Sequence, residues 1–283
     1  MITLFTIPKP FLGFHDIIQK NAIKSWMQLM PECQIILIND EKDTACKVAE
    51  ELGLDCLKEV RRNEQGLPLL DDVFSRVPKI ARNKKLAYIN SDLITIEGFL
   101  EIAKSINFPH FLAAGRAWDL DLKKKIDFSD PYWKKELDKE RQKRGRLQRM
   151  SGTDYWIFSR DSDFEFPSFV VGDRGVDNWI IFKSRAMGLP VIDTTPAVRV
   201  IHQEHEPFEK RPSYHPSQEK RSIDLAGGFI NMMTLRDADW VFAPGGLKKV
   251  SFPRSIFSSL SLFYPWRIAL SAKRKIQSSF YEK

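Results

Sequence analysis

The chain has 283 residues, 43% of them hydrophobic, including 7 Trp and 20 Phe, so a sizeable core can form and global disorder is excluded. Its formal charge of +7 is concentrated in two segments: residues 123–149 hold eleven Lys/Arg against five Asp/Glu, and residues 248–283 hold eight against one. Such segments suit an anionic partner (phosphate, lipid surface or nucleic acid) or are plain solvated faces, and no apolar run reaches the ~18 residues that a bilayer span needs.

Residues 2–7 are β-rich and stop at Pro8-Lys9-Pro10, which reads as a first strand. Residues 16–30 place Ile18, Ala22, Trp26 and Leu29 on one helical face, closed by Pro31. The run QIILI (34–38) is continuously apolar, as in a strand buried on both sides of a parallel sheet, and ends at Asn39-Asp40. A helix over 43–52 stops at Gly53, and a weak strand covers 55–60. Residues 68–77 begin with Pro68 at a first helical position, and 86–89 form the next strand. This β-α-β-α-β-α-β order predicts a doubly wound α/β sheet, whose ligands bind beyond the carboxyl ends of the strands. Further on, the patterning predicts strands at 111–114, 153–158, 190–192 and 197–201, with helices over 134–149 and 177–187. No internal repeat is present. The N-terminus lacks a basic leader followed by a long apolar stretch, so no signal peptide is expected. Cys33, Cys46 and Cys56 show no metal-ligand spacing; neither a zinc site nor a disulfide framework is expected, and scattered thiols fit a reducing compartment.

Several strand ends carry residues with chemistry. Asp92, in LAYINSDLI (86–94), offers a carboxylate oxygen to Mg²⁺ or Mn²⁺; Asn, Ser and Asp also simply suit a turn. His202 ends another strand, in VRVIHQEH, and is an acceptable Mn²⁺ ligand, although a lone His is more often structural. Two such residues at strand ends of one sheet can converge on one crevice. Asp40 suits a helix cap or a hydrogen bond to a nucleotide's base or ribose. Asp177, in GDRGVDNW, suits a helix N-terminus or a general base beside an acceptor hydroxyl. Gly172 and Gly175 would let this loop approach a ligand closely, and Trp179 is either a flat face for a sugar or core.

The segments 19–26 (QKNAIKSW), 63–74 (NEQGLPLLDDVF), 86–94, 166–181 (FPSFVVGDRGVDNWII) and 191–205 (VIDTTPAVRVIHQEH) occur in that order. Together, over about residues 2–240, the chain resembles bacterial glycosyltransferases of the GT-A fold. The resemblance implies a Rossmann-like, mostly parallel mixed sheet flanked by helices. It implies one catalytic domain over 1–245, with a nucleotide-binding half (1–95) and an acceptor-side half (96–245). The latter carries a basic helical insertion at about 119–149, and a tail follows at 246–283. The implied co-substrate is a nucleotide-sugar, UDP-linked by preference with GDP or dTDP as alternatives, used with Mn²⁺ or Mg²⁺. Asn90-Ser91-Asp92 takes the place of the D-x-D motif, with Asn90 standing where the first Asp is usual. Asp92 matches the acid that binds metal and diphosphate, and His202 matches a late metal ligand. Thr6, Ile7, Pro8, Asp40, Gly66, Asn90 and Ser91 fall on the donor-binding segments. Asp177 matches, by placement, the base of inverting members. Trp156, Arg174, Asn178 and Trp179 fall on the acceptor and sugar side.

The implied activity is transfer of a sugar to a hydroxyl of a glycan, lipid-linked or protein acceptor, in cell-surface polysaccharide or glycoconjugate synthesis. The implied setting is cytoplasmic, or peripheral at the inner face of the membrane. For the latter, the aromatic and basic tail (255–280, with Lys273, Arg274 and Lys275) offers a contact with anionic lipid, interrupted by Pro265. Rival readings are an inactive binding protein of the same fold and a nucleotidyltransferase-like enzyme. A nucleic-acid-binding module has the basic segments but no recognised motif, so no nucleic-acid partner is expected.

Overall fold

The computed structural model describes residues 1–29, 32–40, 42–205, 216–251 and 268, with 216–218 described by backbone alone. Its strands and helices follow in chain order. β1 (Ile2–Thr6), α1 (Gly13–Met27), β2 (Cys33–Ile38), α2 (Thr44–Leu52), β3 (Asp55–Leu57), α3 (Leu70–Ile80) and β4 (Lys85–Ile89) form the first half. Then come β5 (Leu93–Glu97), α4 (Phe99–Ser105), β6 (Leu112–Ala114), β7 (Trp118–Leu120), α5 (Trp133–Arg144), β8 (Arg146–Leu147) and β9 (Tyr155–Ser159). The remainder is α6 (Val176–Ala186), β10 (Val191–Asp193), β11 (Arg199–Gln203), α7 (Pro216–Leu225), β12 (Trp240–Ala243) and β13 (Gly246–Lys249).

Nine strands make the main sheet in the order β13-β12-β10-β6-β9-β4-β1-β2-β3. β3, β2, β1 and β4 run parallel, as do β6, β10 and β12. β9 is inserted antiparallel between β4 and β6, and β13 is an antiparallel edge. The apolar runs of β1 and β2 are buried at every position because helices cover both faces. One apolar layer joins α1, α2 and α4 to the sheet through Trp26, Val48 and Phe99; the opposite layer joins α3 and α6 through Val73, Phe158 and Ile180. The expected mostly parallel mixed α/β sheet flanked by helices is present. A hairpin boundary lies inside the sheet at 245, where β13 continues the fold four residues into the segment read as a tail. The rest of the tail reading, 255–280 with its lipid contact, lies outside the described residues.

Three details differ from the sequence expectation. Pro68 does not open α3: it pairs with Arg62 in an isolated bridge, and the helix begins at Leu70. The basic helix stops at Arg144, because Gly145 turns the chain into β8, which pairs with β7. Cys46 and Cys56 form a disulfide, Cα–Cα 5.4 Å, joining the first turn of α2 to β3; only Cys33 is a free, buried thiol. The expectation of unpaired thiols fails because the α2–β3 turn folds residues ten apart in sequence onto each other. The cysteine argument for a reducing compartment falls with it. Reductant is expected to lower unfolding free energy by roughly 2–3 kcal/mol for a loop this short, read by denaturant titration with and without dithiothreitol. No helix among the described residues is long and apolar enough to cross a membrane.

A second, four-stranded sheet, β5-β11-β7-β8, stands against the first. β5 leaves the main sheet immediately after Asp92 and is locked from behind by α1. There Trp26, fully buried, donates from its indole Nε1 to the Leu93 carbonyl at 2.8 Å. Truncation of Trp26 to Ala removes that bond and opens a cavity beside β5, the strand that follows Asp92. The expected cost is about 3–5 kcal/mol, measured as a lowered denaturation midpoint.

Candidate active-site cleft

A cleft of about 780 Å³ opens where the carboxyl ends of β1 and β4 meet the second sheet. β1 delivers Ile7, Pro8 and Lys9 to its wall, and the turn after β4 delivers Asn90, Ser91 and Asp92. β9 begins at the same edge, bringing Asp154 opposite Asn90, whose backbone N–H donates to the Asp154 carbonyl at 3.0 Å. The loop 170–177 closes the far side. It turns at Gly172 (φ +88°) and at Gly175 (φ +84°), a left-handed conformation in which a side chain is strained. A Cβ at Gly175 would also lie 2.7 Å from Met232 Cε.

At the floor, Asp92, His202 and His205 each place one ligand atom so that all three lie within 4.8 Å of one another. His205 Nε2 is 3.0 Å and His202 Nε2 3.7 Å from Asp92 Oδ2. The other carboxylate oxygen of Asp92 is buried and accepts no hydrogen bond from the described residues. One carboxylate and two imidazoles, with an orphaned buried oxygen among them, fit a first-row divalent cation such as Mn²⁺. On its far side, His202 Nδ1 is 3.1 Å from Asp119 Oδ1. A proton on Nδ1 donated to that carboxylate leaves Nε2 with its lone pair facing Asp92, the arrangement by which a second carboxylate orients a metal-binding imidazole.

The charges are strongly coupled. Burial pushes the Asp92 carboxyl up, but His202, His205 and Lys9 outweigh it and hold it down to about 2. For His202, burial works against the charged form, yet Asp92, Asp119 and Asp154 together raise the imidazole to about 9. The protein alone therefore keeps a positive charge at the position where a divalent cation would sit, and a cation entering there would displace that proton. Burial and Asp92 raise Asp154, against the opposing pull of His202.

Asp177 lies in the first turn of α6, on the same cleft. Burial, followed by the charge of Asp154, pushes its carboxyl up to about 7 despite backbone N–H donors at Thr153 and Asn178. A carboxyl poised near neutral pH is suited to accept a proton in turnover.

The cleft brings together Ile7, Pro8, Asp40, Gly66, Asn90, Ser91, Asp92, Trp156, Arg174, Asp177 and His202. Three of the expected residues stand elsewhere. Thr6 is fully buried at the end of β1 and does not line the cleft. Asn178 ties α6 to neighbouring loops through the carbonyls of Met233 (2.8 Å) and Ser151 (3.3 Å). Trp179 is 5% exposed and packs on Phe166 and Phe169, which is its core reading. Asp40 combines both of its readings: it lines the cleft, and its carboxylate caps the start of α2 through Lys42 N–H, Thr44 Oγ1 and Ala45 N–H. His205, Asp119, Asp154 and Gln148 do not stand out in the sequence; the second histidine of HQEH, three residues after His202, is the one local signal.

No family model matches the chain, and no curated protein matches it by sequence. Among solved structures, S. aureus TarS in complex with UDP-GlcNAc superposes with a TM-score of 0.51 at 13% identity, covering 80% of this chain. The chain has the GT-A fold. It spans 65% of that TarS structure. Two further likenesses are looser. M. tuberculosis glucosyl-3-phosphoglycerate synthase with UDP gives 0.46 at 13% identity over 80% of each chain. GalNAc-T7 with UDP, GalNAc and Mn²⁺ gives 0.45 at 14% identity over 78% of this chain and 48% of that one. At such identities a GT-A likeness speaks for architecture, and function has to be argued from the site.

Proposed function

We propose that this chain is a glycosyltransferase that moves a sugar from a nucleotide-sugar to an acceptor hydroxyl, assisted by a divalent cation, with inversion at the anomeric carbon. The observation that carries the reading is the Asp92–His202–His205 cluster on the floor of a cleft at the strands' carboxyl ends. In open α/β sheets ligands bind at that edge. TarS, with the same fold, was solved with UDP-GlcNAc.

Asp92, His202 and His205 hold the cation, Mn²⁺ by preference over Mg²⁺ because two of the three ligands are imidazoles. When bound, the cation neutralises charge that grows on the departing nucleoside diphosphate. The nucleotide lies along Ile7, Pro8, Asp40 and Gly66, next to Arg62. Arg62 is itself braced by the carbonyls of Gly66 and Asn39, so it fixes the loop that faces the nucleotide. UDP is the favoured nucleotide, with GDP and dTDP as alternatives. Asp177 accepts the proton of the acceptor hydroxyl. The acceptor oxygen bonds to the anomeric carbon as the bond to the diphosphate oxygen breaks, and attack from the opposite face inverts the configuration. Trp156 and Arg174 flank the sugar side of the same cleft. The acceptor is a glycan, lipid-linked or protein hydroxyl in cell-surface polysaccharide or glycoconjugate synthesis on the cytoplasmic side. The domain works as one unit, with residues 1–95 on the donor side and 96–245 on the acceptor side.

Calorimetry with nucleoside diphosphates tests the donor half of this reading. One of UDP, GDP or dTDP is expected to bind at least tenfold more tightly with Mn²⁺ than with chelator; equal, negligible binding of all three in both conditions contradicts it.

A further inference from the structure

Asn90, two residues before Asp92, is paired with a carboxylate beside the neighbouring strand β9. Asn90 Nδ2 donates to Asp154 Oδ1 at 3.1 Å, and its backbone N–H donates to the Asp154 carbonyl at 3.0 Å. The antiparallel pairing of Ile89 with Tyr155 sets positions 90 and 154 side by side at the edge of the sheet. The second oxygen of Asp154 accepts from Gln148 Nε2 at 2.8 Å. The same Gln148 nitrogen donates to Asp119 Oδ1 at 2.9 Å, and Asp119 is the carboxylate behind His202. Two neutral amides, Asn90 and Gln148, thus hold a half-buried acid in the lining of the cleft without cancelling its charge. Arg146 meets Asp119 at 3.0 Å, whereas the side chains that donate to Asp154 are both amides.

An acid at this position adds to the negative charge that Asp92 and Asp119 already place against His202, and a cation that displaces the His202 proton would be drawn by all three carboxylates. We propose that Asp154 supplies a third carboxylate charge to the cation site, acting from the wall of the cleft, and that positions 90 and 154 form an exchangeable Asn/Asp pair across β4 and β9. The inference rests on the cation site described above. An Asp at 90 beside the native Asp154 would set two carboxylates in contact, which explains why the acid occurs at one of the two positions. Asp119 and Gln148 are then positioning residues: the basic insertion that carries them reaches into the site and ties the His202 side to the Asp154 side.

The test is Mn²⁺ affinity of the full chain without donor, read by electron paramagnetic resonance, on wild type, Asp154→Asn, Asn90→Asp and the exchange Asn90→Asp/Asp154→Asn. Asp154→Asn preserves shape and is expected to weaken Mn²⁺ binding about tenfold, the low end of the range for partners that hydrogen-bond a ligand directly, because Asp154 reaches the site through Gln148 and Asp119. The exchange is expected to recover affinity to within about threefold of wild type, with a thermal midpoint above that of Asn90→Asp alone, in which the two acids repel. Unchanged affinity in Asp154→Asn overturns the proposal, as does weakened affinity that the folded exchange variant does not regain. A wild-type chain that binds no Mn²⁺ overturns the cation site itself, and is told apart from the other outcomes by that one sample.

Discussion

Asp92→Ala is expected to reduce cation-dependent turnover of the nucleotide-sugar by about a thousandfold or more, with Mn²⁺ affinity falling in parallel. Asp92 is the one carboxylate among the three candidate ligand residues, and its Oδ1 is buried without a donor among the described residues. No neighbouring acid can move in, because Asp119 is engaged by His202, Gln148 and Arg146, and Asp154 by Asn90 and Gln148. The same residue shapes the pH response of the cation-free protein. A carboxyl held down at about 2 stabilises the fold above its unfolded value near 3.8, and that contribution is lost as pH falls toward 2. His202, raised to about 9, contributes stability that is complete below about 6.5 and is lost as pH rises through 9. The cation-free chain is therefore expected to lose stability between pH 7 and pH 10, and the loss is expected to shrink in Asp92→Ala, because one of the three carboxylates that raise His202 is gone while Asp119 and Asp154 remain. Thermal midpoints across that range, taken in chelator, read both effects.

Asp177→Asn is expected to lower transfer about 10²–10⁴-fold, the range for removal of a general base, while making the protein more stable at neutral and alkaline pH. A carboxyl raised from 3.8 to about 7 favours its protonated form in the fold. Its ionisation costs stability progressively as pH rises from about 4 to 7, and the full cost remains above that. A rise of that size corresponds to about 4 kcal/mol. Partial solvent access at the cleft reduces this to about 2 kcal/mol. The amide removes the cost, so the variant should exceed wild type above pH 7 and converge with it below pH 4. In wild type, kcat/KM is expected to fall on the acid side with a midpoint near 7. A variant with unaltered transfer would remove Asp177 from the mechanism, and one destabilised at pH 8 would show that the buried charge is not a burden on the fold.

Much of this architecture is legible in the chain because it is local. QIILI and LAYI are apolar throughout, helices separate them, and their polar ends name the edge where ligands bind. The second sheet is not legible in that way. β7 and β8 are three and two residues long, too short for periodicity, and β5 is buried at its first four positions, a short apolar run without the alternation that marks a strand. The candidate ligands follow the same divide. Asp92 and His202 end strands and stand out. His205 lies in the loop beyond β11, where no period points to it, and meets Asp92 only because β11 pairs with β5. Asp154 and Asp119 reach the site through the β4–β9 and β11–β7 pairings, which join positions 64 and 83 residues apart. Trp179 shows the opposite case. Beside a candidate base it suits a sugar platform, but on α6 it shares the buried side with Val176, three residues before it, and lies in the core against Phe166 and Phe169.

The central claim is that the Asp92–His202–His205 floor makes this cleft a cation-dependent donor site. Its most direct test is to incubate the purified chain with UDP-, GDP-, dTDP- and CMP-sugars, in Mn²⁺ or in chelator, and to measure freed nucleotide and bound nucleotide in the same samples. The prediction is release or binding with one nucleotide class, UDP first, that requires Mn²⁺ and is lost in Asp92→Ala. A chain that neither hydrolyses nor binds any of these donors in Mn²⁺, or that does so equally in chelator and in Asp92→Ala, contradicts it.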